Sequence, residues 1–277
     1  MGQPDWAPEG LDLSRPSVAR AYDYTLGGAH NFAVDREFAR QLLAAVPDMR
    51  ITARANRAFL HRAVRFLVQA GIRQFLDIGS GIPTVGNVHE IAQAAAPDTR
   101  VAYVDIDPVA VAHSRQILAG NPRATAIQAD LRRPDDILGH PEVRALLDFD
   151  QPVALMLVAI LHAVPDADDP VGIVHRYGAA TVPGSYLVIS HPTDEGDARE
   201  DVTELVKVSA RNSVNATLRG RADVARMFEG YRLLDPGIVY LPEWRPEPGD
   251  REASEFGDDP SRSACFAAVG ERVTPAS

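Results

Sequence analysis

Three aspartates stand where short apolar runs give way to glycine or polar residues. In FLDIGSGIPT (residues 75–84) the run closes on Asp77 and Ile78 and breaks into Gly79, Ser80 and Gly81, VAYVDIDP reaches Asp105, and AIQADLR reaches Asp130. Paired glycines behind a strand let backbone approach a ligand, because no Cβ blocks the way and the required turn angles are open to them. A carboxylate at Asp77 would repel phosphate but accept hydrogen bonds from an ammonium, which suits an amino acid moiety. Asp105 could accept from both hydroxyls of a ribose, and Asp130 from the exocyclic amine of adenine. Acids at the ends of three consecutive strands form a line of acceptors.

Each of these signals has a structural alternative. Gly79 and Gly81 serve equally in a tight strand-to-helix turn, Asp107 before Pro108 reads as a helix cap, and Asp130 could cap or turn the chain. A dinucleotide site would want three glycines in G-x-G-x-x-G, whereas Gly79, Gly81 and Thr84 supply two. A nicotinamide-dependent reductase is therefore the rival reading, supported by the glycines and Asp105 and opposed by Thr84. Among groups able to move a proton, His162 and His191 each follow a strand-like run, and Tyr22 sits in the aromatic and polar block around Gly27 and Gly28. For both histidines the alternative is an imidazole held by hydrogen bonds at a strand end. His30 and His113 are weaker candidates. No HExxH or HxxxH pair falls on one helix, so no metal site is expected.

The elements that must position these groups follow from periodicity. Residues 17–46 read as two helices broken at Gly27-Gly28, with Asp35 capping the second, and Phe59, Ala63, Phe66, Leu67 and Ala70 mark a third that Gly71 closes. From residue 71 the chain alternates strand-like and helix-like pieces: QFLDI, GNVHEIAQAAA, RVAYVDI, PVAVAHSRQIL, ATAIQA, a helical DDILGHPEVRALL, and PVALMLVAIL. Continuous apolar strands of this kind imply burial on both faces, as in a parallel sheet covered by helices. A helix near 173–180, the strand SYLVISH, a helix over roughly 201–219, another helix and strand, the acidic EWRPEPGDREASEFGDDP as a solvated loop, and the strand SACFAAVG complete the pattern. The fold class expected is α/β: a Rossmann-like, doubly wound, mostly parallel seven-stranded sheet with an N-terminal helical extension. Residues 1–70 form the extension and a lid, and residues 71–277 the α/β domain.

Composition narrows the setting. With 45% hydrophobic residues in 277, the chain can build a core without staples, and Cys265 as the single cysteine permits no internal disulfide and favours a reducing, cytoplasmic location. No membrane span or signal peptide is apparent. Net charge is −10 with Lys207 the single lysine, so an acidic chain of this kind is not expected to bind nucleic acid.

The sequence resembles the class I S-adenosylmethionine-dependent methyltransferases, and more narrowly a bacterial family of S-adenosyl methyltransferases. YDYTLGGAHNFAVDR, LDIGSGIPTVGNVHEIA, YVDIDPVAVAHSR and SYLVISH carry the likeness, which runs from about Ser17 to the end. It implies S-adenosyl-L-methionine as cofactor, with Asp77, Gly79 and Gly81 against the methionine portion, Asp105 on the ribose, and Asp130 with Leu131 near the adenine. It also implies methyl transfer to a small-molecule acceptor. The third glycine of the general pattern is Pro83 here, and a residue with fixed φ and no N–H sends that loop along another path. A cofactor-binding regulator without catalysis is a further alternative, since a fold and a cofactor site do not establish a reaction.

Overall fold

The structure is a computed structural model that describes residues 8, 11–83, 86–196 and 199–274; Thr84 lies outside them. Five strands run parallel: β1 (Gln74–Ile78), β2 (Arg100–Asp105), β3 (Ala124–Gln128), β4 (Ala154–Val158) and β5 (Tyr186–Pro192). They are followed by β6 (Tyr231–Leu233), β7 (Val239–Tyr240) and β8 (Cys265–Arg272). The order is β3-β2-β1-β4-β5-β8-β6, with β8 antiparallel to β5 and β7 paired to β8 off this path. The sheet thus holds one strand more than the pattern predicts. YRLLDPGIVYL, which reads as one strand, divides at Pro236 and at Gly237, whose φ of +87° interrupts an extended run.

Every residue of β1 and β4 is buried, as strands covered on both faces must be. Alternate side chains serve different layers. Phe75 packs with α3 (Met49–Gln69) and α4 (Val88–Ala95), while Leu76 and Ile78 join the core under α6 (Pro134–Leu138), α7 (Pro141–Leu146), α8 (Pro170–Ala179) and α10 (Arg221–Met227). DDILGHPEVRALL therefore forms two short helices rather than one, because Pro141 starts a new one after Gly139. The predicted helix over 201–219 also stops early. As α9 it spans Arg199–Arg211, and Ser213 enters the left-handed region at φ +58°.

The acidic segment 243–260 is not a solvated loop. Trp244 and Phe256 are fully buried against Phe59 and Leu67 of α3, and Arg62 of α3 donates to the carbonyls of Trp244 and Leu241 and pairs with Asp250. Two aromatic anchors among acidic and proline residues outweigh the polar average of the stretch. Within it α11 (Arg251–Ser254) is a single turn.

At the N-terminus α1 (Val18–Thr25) and α2 (Ala33–Ala45) pack on α9 through Ala21, Phe38, Leu42 and Val208, a small core apart from the sheet faces. Asp35 does cap α2, but from its third residue: the carboxylate accepts the N–H of Phe32 at 2.9 Å. Gly27, with φ +88°, belongs to a pinned turn. The Asp23 carboxylate accepts from the N–H of His30 and from Asn31, and a Cβ on Gly28 would lie 1.9 Å from it. On the other side of the sheet's carboxyl edge, α5 (Pro108–Ile117) opens at Asp107, whose side chain accepts the Val109 N–H at 2.7 Å, as the Asp-Pro pair predicts.

Candidate functional site

Strand order reverses between β1 and β4, and the crevice beyond their carboxyl ends is where open α/β sheets bind ligands. A cavity of about 640 Å³ opens there, within the range of small-ligand sites. Asp77, Gly79, Ser80, Gly81, Asp105 and Ile106 line its floor, and Tyr22, Arg57 and His162 are among the residues around it.

The glycine loop is built for close approach. Gly79 has φ +74°, and a Cβ there would sit 2.2 Å from Ile160 Cγ1 in the loop after β4, so glycine is required both for the angle and for the contact between the two loops. Gly81 has φ +69° with open space where a Cβ would be, and its N–H donates to Asp105 Oδ2 at 2.7 Å. Asp105 Oδ1 accepts the Asp107 N–H at 2.8 Å, so this carboxylate ties the β1 loop to the β2 loop while each oxygen keeps a lone pair. Burial raises the Asp105 carboxyl to about 6 against the pull of these N–H donors.

Asp77 differs. It is buried, it lines the cavity, and among the described residues no group hydrogen-bonds its carboxylate. Burial pushes it up to about 7, with the positive charge of Arg57 pulling it down and Asp105 pushing further up. A buried carboxylate without a partner is costly unless a ligand supplies one. Arg57 of α3 lines the same space, donates one N–H to the Gly86 carbonyl at 3.0 Å, and pairs with no carboxylate among the described residues. An acid and an arginine together match the ammonium and carboxylate of an amino acid moiety. Beside Asp105, Ile106 is 60% exposed, an apolar side chain at the cavity lining that a flat base could cover.

The residues expected near adenine, Asp130 and Leu131, are not among those lining the cavity. Asp130 pairs with Arg132, which holds its carboxyl below the ordinary range, and Leu131 offers its carbonyl to Tyr177. The two histidines separate as well. His191 is fully buried, its Nδ1 lies 2.7 Å from the Pro192 carbonyl and its Nε2 2.9 Å from Arg219, and it does not line the cavity. Burial and Arg219 keep it neutral, with the pKa lowered to about 3. His162 does line the cavity, and no described residue hydrogen-bonds its ring; burial first and Arg219 second lower it to about 4. Just before it, Ala159 ends β4 in the left-handed region at φ +52°, a strained angle of the kind that collects at functional sites. The Tyr22 hydroxyl donates to the Ala53 carbonyl at 3.0 Å and accepts from Asn56, whose Oδ1 takes a bond from Ser190. Among the described residues no three histidine, cysteine or acidic side chains gather to hold a metal.

Sequence reading passed over Arg57, Ile106 and Arg20. Arg20 of α1 is buried, with Nε 2.8 Å from Asp35 and Nη1 3.1 Å from Asp107, so it joins the N-terminal helices to the loop behind Asp105. An arginine followed by two distant aspartates carries no local signal. Ile106 and Arg57 had one: an apolar residue between two aspartates, and a cation one helix before the glycine loop.

An open, mostly parallel sheet with one reversed strand, β8, set between β5 and β6, and an acid-lined crevice at its switch point, defines a class I methyltransferase fold. The chain belongs to the S-adenosyl methyltransferase family, whose model matches residues 4–273, and its methyl donor is S-adenosyl-L-methionine. Two solved structures are similar over nearly the whole length. A DUF574 family protein from Streptomyces avermitilis MA-4680 is 40% identical over 94% of this chain and 99% of its own, with a TM-score of 0.89. A candidate methyltransferase from Thermobifida fusca YX is 41% identical over 98% and 100%, also at 0.89. An O-methyltransferase family protein from Burkholderia thailandensis, 14% identical over 83% of this chain and 61% of its own with a TM-score of 0.51, shares the fold. No curated protein matches. No described helix is long and apolar enough to cross a membrane.

Proposed function

We propose that the chain transfers the methyl group of S-adenosylmethionine to a small molecule held in the same cavity. The observation that carries this reading is the buried carboxylate of Asp77, without a hydrogen-bond partner among the described residues, facing a site with room for a ligand. Asp77 accepts from the ammonium and Arg57 donates to the carboxylate of the methionine portion. Gly79 and Gly81 let backbone come close, Asp105 takes the ribose hydroxyls on its free lone pairs, and Ile106 covers the adenine face. Asp130 and Leu131 remain proposed neighbours of the adenine edge, reached beyond Ile106.

When bound, the cofactor supplies an electrophilic methyl on a sulfonium, so the protein's work is alignment and exclusion of water. His162, kept neutral by burial and Arg219, has no ring hydrogen bond among the described residues, and its imidazole can take the proton of a hydroxyl. A weak base suffices, because the hydroxyl becomes strongly acidic as its oxygen is alkylated. Tyr22 and Asn56 shape the wall, and His191 positions Arg219 rather than meeting the acceptor. The single cysteine, buried, with its thiol pushed up to about 12 by that burial, accords with a cytoplasmic setting and takes no part in the chemistry.

Calorimetry tests the reading directly. S-adenosylhomocysteine should bind, and Asp105→Ala should weaken it by about 1.5–3 kcal/mol, the range for charged hydrogen bonds. Binding of reduced nicotinamide dinucleotide in its place would return the site to the reductase class.

A further inference from the structure

The cavity lining is sharply divided by charge. Its charged residues are Asp12, Arg20, Arg57, Asp77, Asp105 and Asp107, all on α1, the segment before it, α3, the carboxyl ends of β1 and β2, or the loop after β2. The lining from α2, α9, the segment after α9 and the residues before β8 contains no Asp, Glu, Lys or Arg among the described residues. It is made of side chains such as Phe38, Leu42, Leu205, Val214 and Leu218. Several of the polar groups around them are already engaged: Tyr22 with Ala53 and Asn56, Thr25 with the Ala21 carbonyl, Thr52 with the Ser263 carbonyl and Asn215 with the His162 carbonyl, while Ser209 adds a neutral hydroxyl. Among the described residues near this wall, His162 is the ionisable group whose ring has no hydrogen-bond partner.

Resting on the methyltransferase reading, we propose that the acceptor is an uncharged, predominantly apolar molecule carrying a hydroxyl, methylated on that oxygen. A carboxylate, phosphate or ammonium placed against this wall would lose its hydration with no opposite charge to meet it. An apolar body instead gains by every part of its surface removed from water. The hydroxyl donates to His162. As its oxygen lone pair forms the new O–C bond, the methyl–sulfur bond breaks with its electron pair going to sulfur, and the hydroxyl proton passes to the imidazole.

The test uses 2-naphthol and 2-naphthoate, which share a ring and differ in charge at neutral pH, titrated by equilibrium dialysis into full-length protein saturated with S-adenosylhomocysteine. The naphthol should bind about tenfold or more tighter. Leu205→Lys, with unchanged affinity for S-adenosylhomocysteine, should reverse that order by giving the carboxylate a partner. Equal or tighter binding of naphthoate by the parent, binding of neither probe, or an unchanged ratio in the variant would overturn the proposal while leaving the methyltransferase reading standing. A protein with no affinity for S-adenosylhomocysteine would overturn both.

Discussion

Asp77 concentrates the chemistry of the site in one ionisation. Its carboxyl is raised to about 7 by burial, yet only the ionised form can pair with an ammonium. Affinity for S-adenosylhomocysteine should therefore strengthen as pH rises from 6 to 8, by up to about tenfold per unit below the pKa, with a proton released on binding. Calorimetry in two buffers of different ionisation enthalpy would count that proton. Asp77→Asn should remove both the proton release and about 1.5–3 kcal/mol of affinity. Retention of the pH slope in the variant would shift the titration to Asp105, whose carboxyl lies at about 6. Asp77 was legible as an acid beside glycines, but its lack of a hydrogen-bond partner among the described residues was not, because that depends on what every neighbouring element does with its own donors.

At the scale of elements, the Arg20 bridge ties α1 and α2 to the loop behind Asp105, beside the proposed cofactor site. Its partners Asp35 and Asp107 are both buried, so Arg20→Met would leave two carboxylates without their cation, a loss of about 3–5 kcal/mol. Amide exchange reads whether that loss is local. Protection across residues 18–31 should rise when S-adenosylhomocysteine is added to the parent and fall in the variant, since Asp107 follows Asp105, the proposed ribose acceptor, by two residues. Protection that responds only around Gly79 and Asp105 would reduce the segment to packing. The lid expected from Gly27-Gly28 is thus proposed to act through the Arg20 contact, the turn itself being pinned by Asp23. At the end of β4, Ala159→Gly tests the strained backbone. At φ +52° glycine should leave stability unchanged or raise it by up to about 1 kcal/mol in urea unfolding, and a loss of about 1 kcal/mol would argue against strain there.

The whole molecule sums opposing titrations. His61 and His162 are lowered to about 4 and His191 to about 3, chiefly by burial, from an ordinary 6.5. Between 6.5 and about 4 the unfolded chain binds protons that the folded one refuses, so these groups remove stability as pH falls. Asp77 and Asp105 act oppositely: raised from 3.8 to about 7 and about 6, they hold protons in the folded state and contribute stability that is lost as pH rises through those values. A ligand ammonium that keeps Asp77 ionised cancels part of the second effect. The melting temperature of the complex should accordingly fall more steeply from pH 7 to pH 5 than that of the free protein, measured by calorimetric scans of each. At neutral pH, ligand at a hundredfold excess over its dissociation constant should add about 2.7 kcal/mol. Parallel pH profiles for the two forms would mean that ligand binding does not ionise Asp77.

What the amino-acid sequence determined by itself was local and periodic. Apolar runs of strand length between helical repeats established the α/β class, because burial on two faces leaves no polar alternation. The turn chemistry of Asp77-Ile78-Gly79-Ser80-Gly81 and Asp107-Pro108 marked where strands stop and helices begin, since glycine angles and proline φ act on adjacent residues. Only the tertiary structure decided which of these groups meet. It separated His162, open to the cavity, from His191, locked between Pro192 and Arg219, although each follows a strand in sequence. It buried Trp244 and Phe256 within a segment whose average composition is solvated, and it brought Arg20 to Asp107 across 87 residues. It also assembled a wall free of charge from α2, α9 and the residues before β8. Contacts of that range are chosen by the packing of whole elements, and no short window of sequence contains both partners.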